Sequence, residues 1–251
     1  MNEANPRVAP KRATKGKVSM RSDASVQATP VRRAKGIEAR AKLKRAAMQV
    51  LEKRGYHAMR ISDVTSEAGV ATGLFYHYFS DLKSLTLEVL GDFVAQSREL
   101  EEIERGVSRG DWFGRILAHN RLVVSSYASR PGLMRCLLQL ADEDADFSAL
   151  LRESFVESLQ WLVARMPKLF PSGDFTDHQA LLLVYALAGS GETLLRDVYI
   201  NEDKSLLRAP VSEEELAELL SVIFYRGLFL QNPPVERLQF THYVSGIAAE
   251  E

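Results

Sequence analysis

Residues 61–79 read ISDVTSEAGVATGLFYHYF. In the first half, Ile61, Val64, Thr65 and Ala68 recur at three- and four-residue spacing, with Ser62, Asp63, Ser66 and Glu67 on the other side. That is the pattern of a short amphipathic helix. Ala68-Gly69-Val70 follows. A small residue lets two helices approach, Gly69 is free to take the left-handed conformation that ends a helix, and Val70 fills the corner. Residues 71–79 then form a second short helix, with Leu74, Phe75 and Phe79 toward a core and Thr72, Gly73, Tyr76, His77 and Tyr78 on the opposite side. In that geometry the second helix enters the major groove of DNA. Hydroxyl and imidazole groups donate to phosphate oxygens or reach base edges, and glycine lets the backbone come close. An ordinary helical corner with aromatic core residues is the alternative. The FYHYF cluster and the basic chain before it favour the DNA reader.

Upstream, the charge is strongly asymmetric. Residues 1–60 hold sixteen Lys or Arg against four Asp or Glu, a net of +12, whereas residues 61–251 carry a net of −13, so the overall −1 conceals a gradient. Such a gradient adds a salt-sensitive, sequence-independent attraction to a polyanion. Residues 1–34, rich in Pro, Ala, Ser, Lys and Arg without apolar periodicity, read as a disordered basic tail, either a DNA-sampling arm or a solvated extension. A first helix over 36–54 carries a stripe of Ile37, Ala41, Leu43, Ala46, Ala47, Val50 and Leu51 and ends at Gly55. On its flank Arg40, and beyond it Arg60, are candidate phosphate contacts, with solvated surface charge as the plainer reading.

Residues 36–90 resemble the N-terminal domain of the TetR (tetracycline-repressor-like) family of bacterial transcription regulators. There, an Ala-Gly-Val turn precedes a recognition helix ending in a Tyr-x-His-Phe-like run. The resemblance implies that Tyr76 contacts phosphate, that Thr72, Gly73, Leu74 and His77 approach bases or backbone, and that Tyr78 stands where histidine is usual. Two departures are Ala71, in place of a serine at the start of the recognition helix, and Ser80-Asp81-Leu82-Lys83 in place of Ser-Lys-Glu. The second moves the lysine expected at a phosphate one residue on, to Lys83.

Downstream, Asp81 is a candidate N-cap for a fourth helix from Leu82 to about Arg105, with apolar positions Leu85, Val89, Phe93, Leu100 and Ile103. Further helices are expected over about 111–129, 132–141, 144–166, 176–200 and 212–230, separated by Pro131-Gly132, Pro167, Pro171-Ser172-Gly173 and Pro210. No period-two pattern persists. The fold class is therefore all-α: a helix-turn-helix domain over 35–80, a larger helical domain over 81–232 and a C-terminal extension over 233–251.

The larger domain holds big apolar residues that are packing residues or the walls of a cavity. The resemblance implies a pocket for an apolar or amphipathic effector, and Trp112, His119, Tyr127, Phe155, Trp161 and Tyr185 are its candidate lining. Small residues Ala186, Ala188, Gly189, Ser190 and Gly191, and a wide stripe including Leu216, Leu219, Leu220, Ile223, Phe224, Gly227 and Leu228, suit close helix crossing. In the TetR family the corresponding helices pair across a two-fold axis. Gly189, Leu216, Leu220, Ile223, Phe224 and Gly227 are accordingly the expected dimer contacts, and two-fold symmetry implies a near-palindromic operator.

Other classes find little in the chain. The five histidines are dispersed, Cys136 stands alone in an apolar stretch, and no phosphate-cradling loop or nucleophile elbow occurs. The acidic run Asp142-Glu143-Asp144-Ala145-Asp146 lacks Ca²⁺-loop alternation and precedes a helix, where acids meet the helix dipole. No metal, cofactor or catalytic residue is expected. Glu192 and Arg196, four apart, suit a surface or interface pair. Without a signal-peptide-like start or an eighteen-residue apolar run, a cytoplasmic location is expected. The reading is a homodimeric regulator, a repressor released from double-stranded DNA by a small molecule. A helical carrier or enzyme with an idle N-terminal domain and a nonspecific DNA-binding protein are the rivals.

Overall fold

A computed structural model describes residues 30–96, 106–173 and 175–246. The chain divides into two compact units, 1–37 and 38–251. Of the first, only 30–37 are described, as opening turns of α1 (Pro30–Arg54). The helix thus starts within the stretch expected to be a disordered tail, and proline at its first position accounts for this: the ring presets φ, and its missing N–H has no intrahelical partner to lose. The rest of the tail lies outside the described residues.

In the second unit, Leu43, Ala46, Ala47, Val50 and Leu51 of α1 are buried as the stripe predicts. Gly55 ends the helix with φ 76°. Then come α2 (Ile61–Ala68), α3 (Thr72–Tyr78) and α4 (Leu82–Gln96). The Asp81 carboxylate caps α4, accepting from the Ser84 N–H at 2.7 Å, and Leu85, Val89 and Phe93 are buried. Leu100 and Ile103 lie outside the described residues.

The remaining chain forms α5 (Trp112–Ser129), α6 (Pro131–Glu143), α7 (Ala145–Val163), the short α8 (Met166–Leu169), α9 (Asp177–Leu195) with a π-helical turn Arg196–Ile200, α10 (Glu213–Phe229), a 3₁₀ turn Val235–Arg237 and α11 (His242–Ser245). Among the described residues there is no strand. The starts are set by caps foreseeable from sequence: Asp111, Asp144, Thr176 and Ser212 each accept from a backbone N–H of the first turn. A continuous apolar core joins Leu43, Phe75 and Val89 to Val124, Leu137 and Leu216, so α1–α4 and the helices after them share one interior.

The extension after residue 232 is docked onto α10. Glu218, 3% exposed, accepts from the backbone N–H groups of Gln239, Phe240 and Thr241 and from the Thr241 hydroxyl, at 2.7–2.9 Å. Leu238 and Val244 are buried against Phe113 and Val222. Burial pushes the Glu218 carboxyl upward, but these four donors outweigh it and hold its pKa below the ordinary glutamate value.

Candidate nucleic-acid interface and effector cavity

The α2–α3 unit follows the expected geometry. Val64 and Thr65 are buried, and Gly69 takes φ 63° and ψ 39°, with its N–H returning to the last turn of α2. On α3, Phe75 (0% exposed) and Phe79 (3%) anchor the helix, while Thr72, Gly73, Tyr76 (60%) and His77 are exposed. The aromatic neighbours hold one another edge-on, Tyr76 against Phe75 at 5.4 Å and His77 against Tyr78 at 4.8 Å. Leu74 and Tyr78 are half-buried, Tyr78 packing on the core, so both stand at the edge of the exposed face.

The basic residues divide differently. Arg40 pairs with Glu88 and stacks its guanidinium 5.3 Å from the Phe79 ring centroid, so it braces α1 against α4. Lys44 bridges to Asp92 at 2.5 Å. Lys83, expected at a phosphate, instead sits 2.7 Å from both Asp144 and Asp146 at the start of α7. Its hydrogen bonds to these two carboxylates raise its pKa. Its one-residue displacement from the family position and the acidic cap of α7 together explain the change of partner. Arg60 is exposed, its backbone N–H bonded to the Asp63 carboxylate.

Two more polar contacts reach from this region to α6. The Glu52 carboxylate accepts from the N–H groups of Gly132 (3.0 Å) and Leu133 (2.8 Å), capping α6 from α1. His57 meets Glu143 at 3.0 Å at the other end of α6. A Cβ on Gly132 would lie 2.2 Å from the Glu52 carbonyl oxygen, so glycine is what permits this approach.

A small void of about 50 Å³ lies between α5, α7, α9 and α10, and a second of about 90 Å³ between α4, α5, α6, α7 and α9. His119, Val123, Phe155, Ser158 and Glu192 line both. Of the predicted lining, His119, Phe155 and Trp161 meet at the first void and Tyr127 joins at the second. Trp112 does not: it packs in the apolar cluster under α8 with Arg115 over its ring. Tyr185, 44% exposed, lines an outer depression instead.

Burial pushes the His119 imidazole down to about 4, and its Nδ1 is sealed without a hydrogen-bond partner, although the residue keeps some accessible surface where it lines the voids. Glu192 is a correction: rather than forming a surface pair with Arg196, it turns inward and accepts from the Tyr127 hydroxyl. Burial raises its pKa, with Tyr127 and the charge of Arg196 acting in the opposite direction. The small residues of α9 gave no signal that one helical face carried an acid into the interior.

The expected dimer residues divide too. Leu216 (3% exposed) and Leu220 (7%) are buried in the chain's own core, because α10 lies along α5. Gly227 faces Leu187 and Gly191 faces Leu220, so two of the glycines serve crossings within the chain. Gly189 faces open space, Ile223 is 42% exposed and Phe224 is half-buried. The exposed Leu182 and Leu183 on α9 were missed, since sequence spacing alone does not say which of several apolar faces remains uncovered.

Residues 43–89, spanning the α2–α3 unit and most of its supporting helices, match the model of bacterial regulatory proteins of the tetR family. Over those residues the chain is similar to that family. It is 29% identical over 121 residues to the HTH-type transcriptional regulator YdgC of Bacillus subtilis, covering 47% of this chain and 55% of that protein. It is 24% identical over 127 residues to the HTH-type transcriptional repressor NemR of Escherichia coli K12, covering 50% and 63%. The chain thus spans 55% and 63% of the length of these two relatives. A transcriptional regulator from Rhodococcus sp. Rha1 shares the fold with a TM-score of 0.59 at 19% identity, over 75% of this chain and 96% of that one.

Proposed function

We propose that this protein is a cytoplasmic, homodimeric transcription regulator that binds a near-palindromic operator and is released from it by a small molecule. The observation that carries the reading is the exposed face of α3, Thr72, Gly73, Tyr76 and His77, anchored from behind by Phe75 and Phe79. Residues 35–80 would read DNA and 81–232 would bind effector and dimerise. Tyr76 takes phosphate, Thr72 and His77 reach base edges, Gly73 brings the backbone close, and Leu74, Tyr78 and Arg60 border the contact. The uncovered apolar residues Leu182, Leu183 and Ile223, with Gly189 and Phe224 beside them, favour a two-fold contact through α9 and α10. Two recognition helices then stand roughly 34 Å apart, one turn of DNA.

Release requires the effector to bind one conformation better than another. The voids of about 50 and 90 Å³ are far below the roughly 300–1,000 Å³ of sites for drug-sized ligands, so an effector of that size would bind an expanded state. Helix α6 lines the second void through Met134 and Leu137 and contacts the DNA-reading region at both ends, which gives the expansion a route to α3. In this reading the protein represses, as the name of the NemR relative states of that protein.

The test is to mix purified protein with sheared DNA of its own genome at moderate salt and sequence the bound fragments. An enriched near-palindrome supports the reading. Recovery without a motif favours a nonspecific binder, and no recovery at any salt favours a carrier.

A further inference from the structure

Glu192 and Phe155 line both interior voids and also an open depression of about 360 Å³ on the outer surface of α6, α7 and α9. They therefore stand in the wall between interior and exterior. Tyr185 lines only the outer side and meets Phe155 edge-on, with ring centroids 4.8 Å apart at 89°. Parting that ring pair would open the depression onto the voids.

The chemistry behind the wall is one-sided. Neither void is lined by Lys or Arg among the described residues, and His119, the one basic side chain there, stays neutral near pH 7. The apolar walls are Phe155, Trp161, Leu159, Ile116 and Ala188, while Glu192 is the acid, holding only the Tyr127 hydroxyl by hydrogen bond. An anionic head would meet a like charge, with neutral donors such as Ser158 and Asn120 but no Lys or Arg in the voids. Arg196 acts on Glu192 from the outer depression, and a cation in the voids would add counter-charge on the inner side, where the face of Phe155 would favour it as well.

We propose that the effector is an organic cation with a compact apolar or aromatic body, entering past Phe155 and Tyr185 and setting its charge against Glu192. This rests on the effector-responsive reading above. Three probes of similar shape separate the possibilities: phenyltrimethylammonium, its neutral isostere tert-butylbenzene, and 4-tert-butylbenzoate, each titrated against the full-length protein by melting temperature and tryptophan fluorescence. The cation should bind about tenfold tighter than the neutral isostere, with the anion weakest. Glu192→Gln, which keeps an acceptor for Tyr127, should bring the cation and neutral probes to equal affinity. Tyr185→Ala should speed entry of the cation in stopped-flow fluorescence and leave the order of affinities unchanged. Equal binding of the neutral or anionic probe, a cation preference surviving Glu192→Gln, or no shift with any probe would each overturn the proposal. Recovery of an operator from genomic DNA alongside any of these results would leave the regulator reading standing and remove only the cation.

Discussion

Lys83 Nζ lies 2.7 Å from Asp144 Oδ2, joining the first turn of α4 to the residue that caps α7. The lysine at the start of α4 is therefore paired within the protein. Lys83→Met should leave the dependence of operator affinity on salt unchanged, while Tyr76→Phe weakens binding across all sequences. Loss of a phosphate contact by Lys83 would instead lower the log–log salt slope by about 0.9. Titrations at four salt concentrations decide between the two. An Asp144→Asn variant should lose less thermal stability than Lys83→Met, because Asp146 still pairs with the lysine and asparagine still caps α7.

Two glycines of the reading unit should respond in opposite ways. Gly69 has φ 63° with open space around it, so Gly69→Ala suffers backbone strain without a clash and should lose about 1 kcal/mol in urea unfolding. Gly73 lies inside α3 without a positive φ, again in open space. Gly73→Ala should gain roughly 0.5–1 kcal/mol of stability and yet bind operator less well, since its methyl points from the DNA-reading face. A stability loss in Gly73→Ala, or unaltered DNA affinity, would contradict that placement.

Replacing Glu218 by Ala strands the three backbone N–H groups at residues 239–241 and should cost about 2–4 kcal/mol, with faster proteolysis after residue 232. The sign with pH follows from its lowered pKa. The contribution is fully present above the ordinary glutamate value and is lost as pH falls through the lower folded value. Wild type and variant should therefore converge in melting temperature under acid conditions.

His119 has a folded pKa of about 4 against an ordinary 6.5, so the unfolded chain takes up the proton first as pH falls. Stability is full above about 6.5 and declines toward 4, by about 3 kcal/mol at most. Glu192, which shares the cavity and has a raised pKa, works the other way in the same range, and the cleaner measure is the difference between wild type and His119→Gln. That variant should show a shallower fall in melting temperature from pH 6.5 to 4.5.

Much of this was legible in the sequence because it is local. Gly69 marks its own turn, Asp81, Asp111 and Ser212 cap their own helices, and Phe75 and Phe79 fall on one face by spacing alone. What escaped the sequence depends on partners far along the chain. A periodic stripe shows that Leu216 and Leu220 are covered but not by what, and α5 rather than a second copy covers them. Nothing near Lys83 announces Asp144, and nothing near Glu192 announces Tyr127, 65 residues away. The docking of residues 239–241 was hidden for the same reason, since its recipient, Glu218, looks in isolation like one more acid on a charged helix.

The polar seat of α6 on α1 is set by main-chain groups of α6, with Glu52 receiving two amide hydrogens and Gly132 contributing no side chain at all. These two bonds survive any substitution at Met134 or Leu137 that the buried face of α6 tolerates. A change of ligand taste made at those positions can therefore leave the joint itself intact.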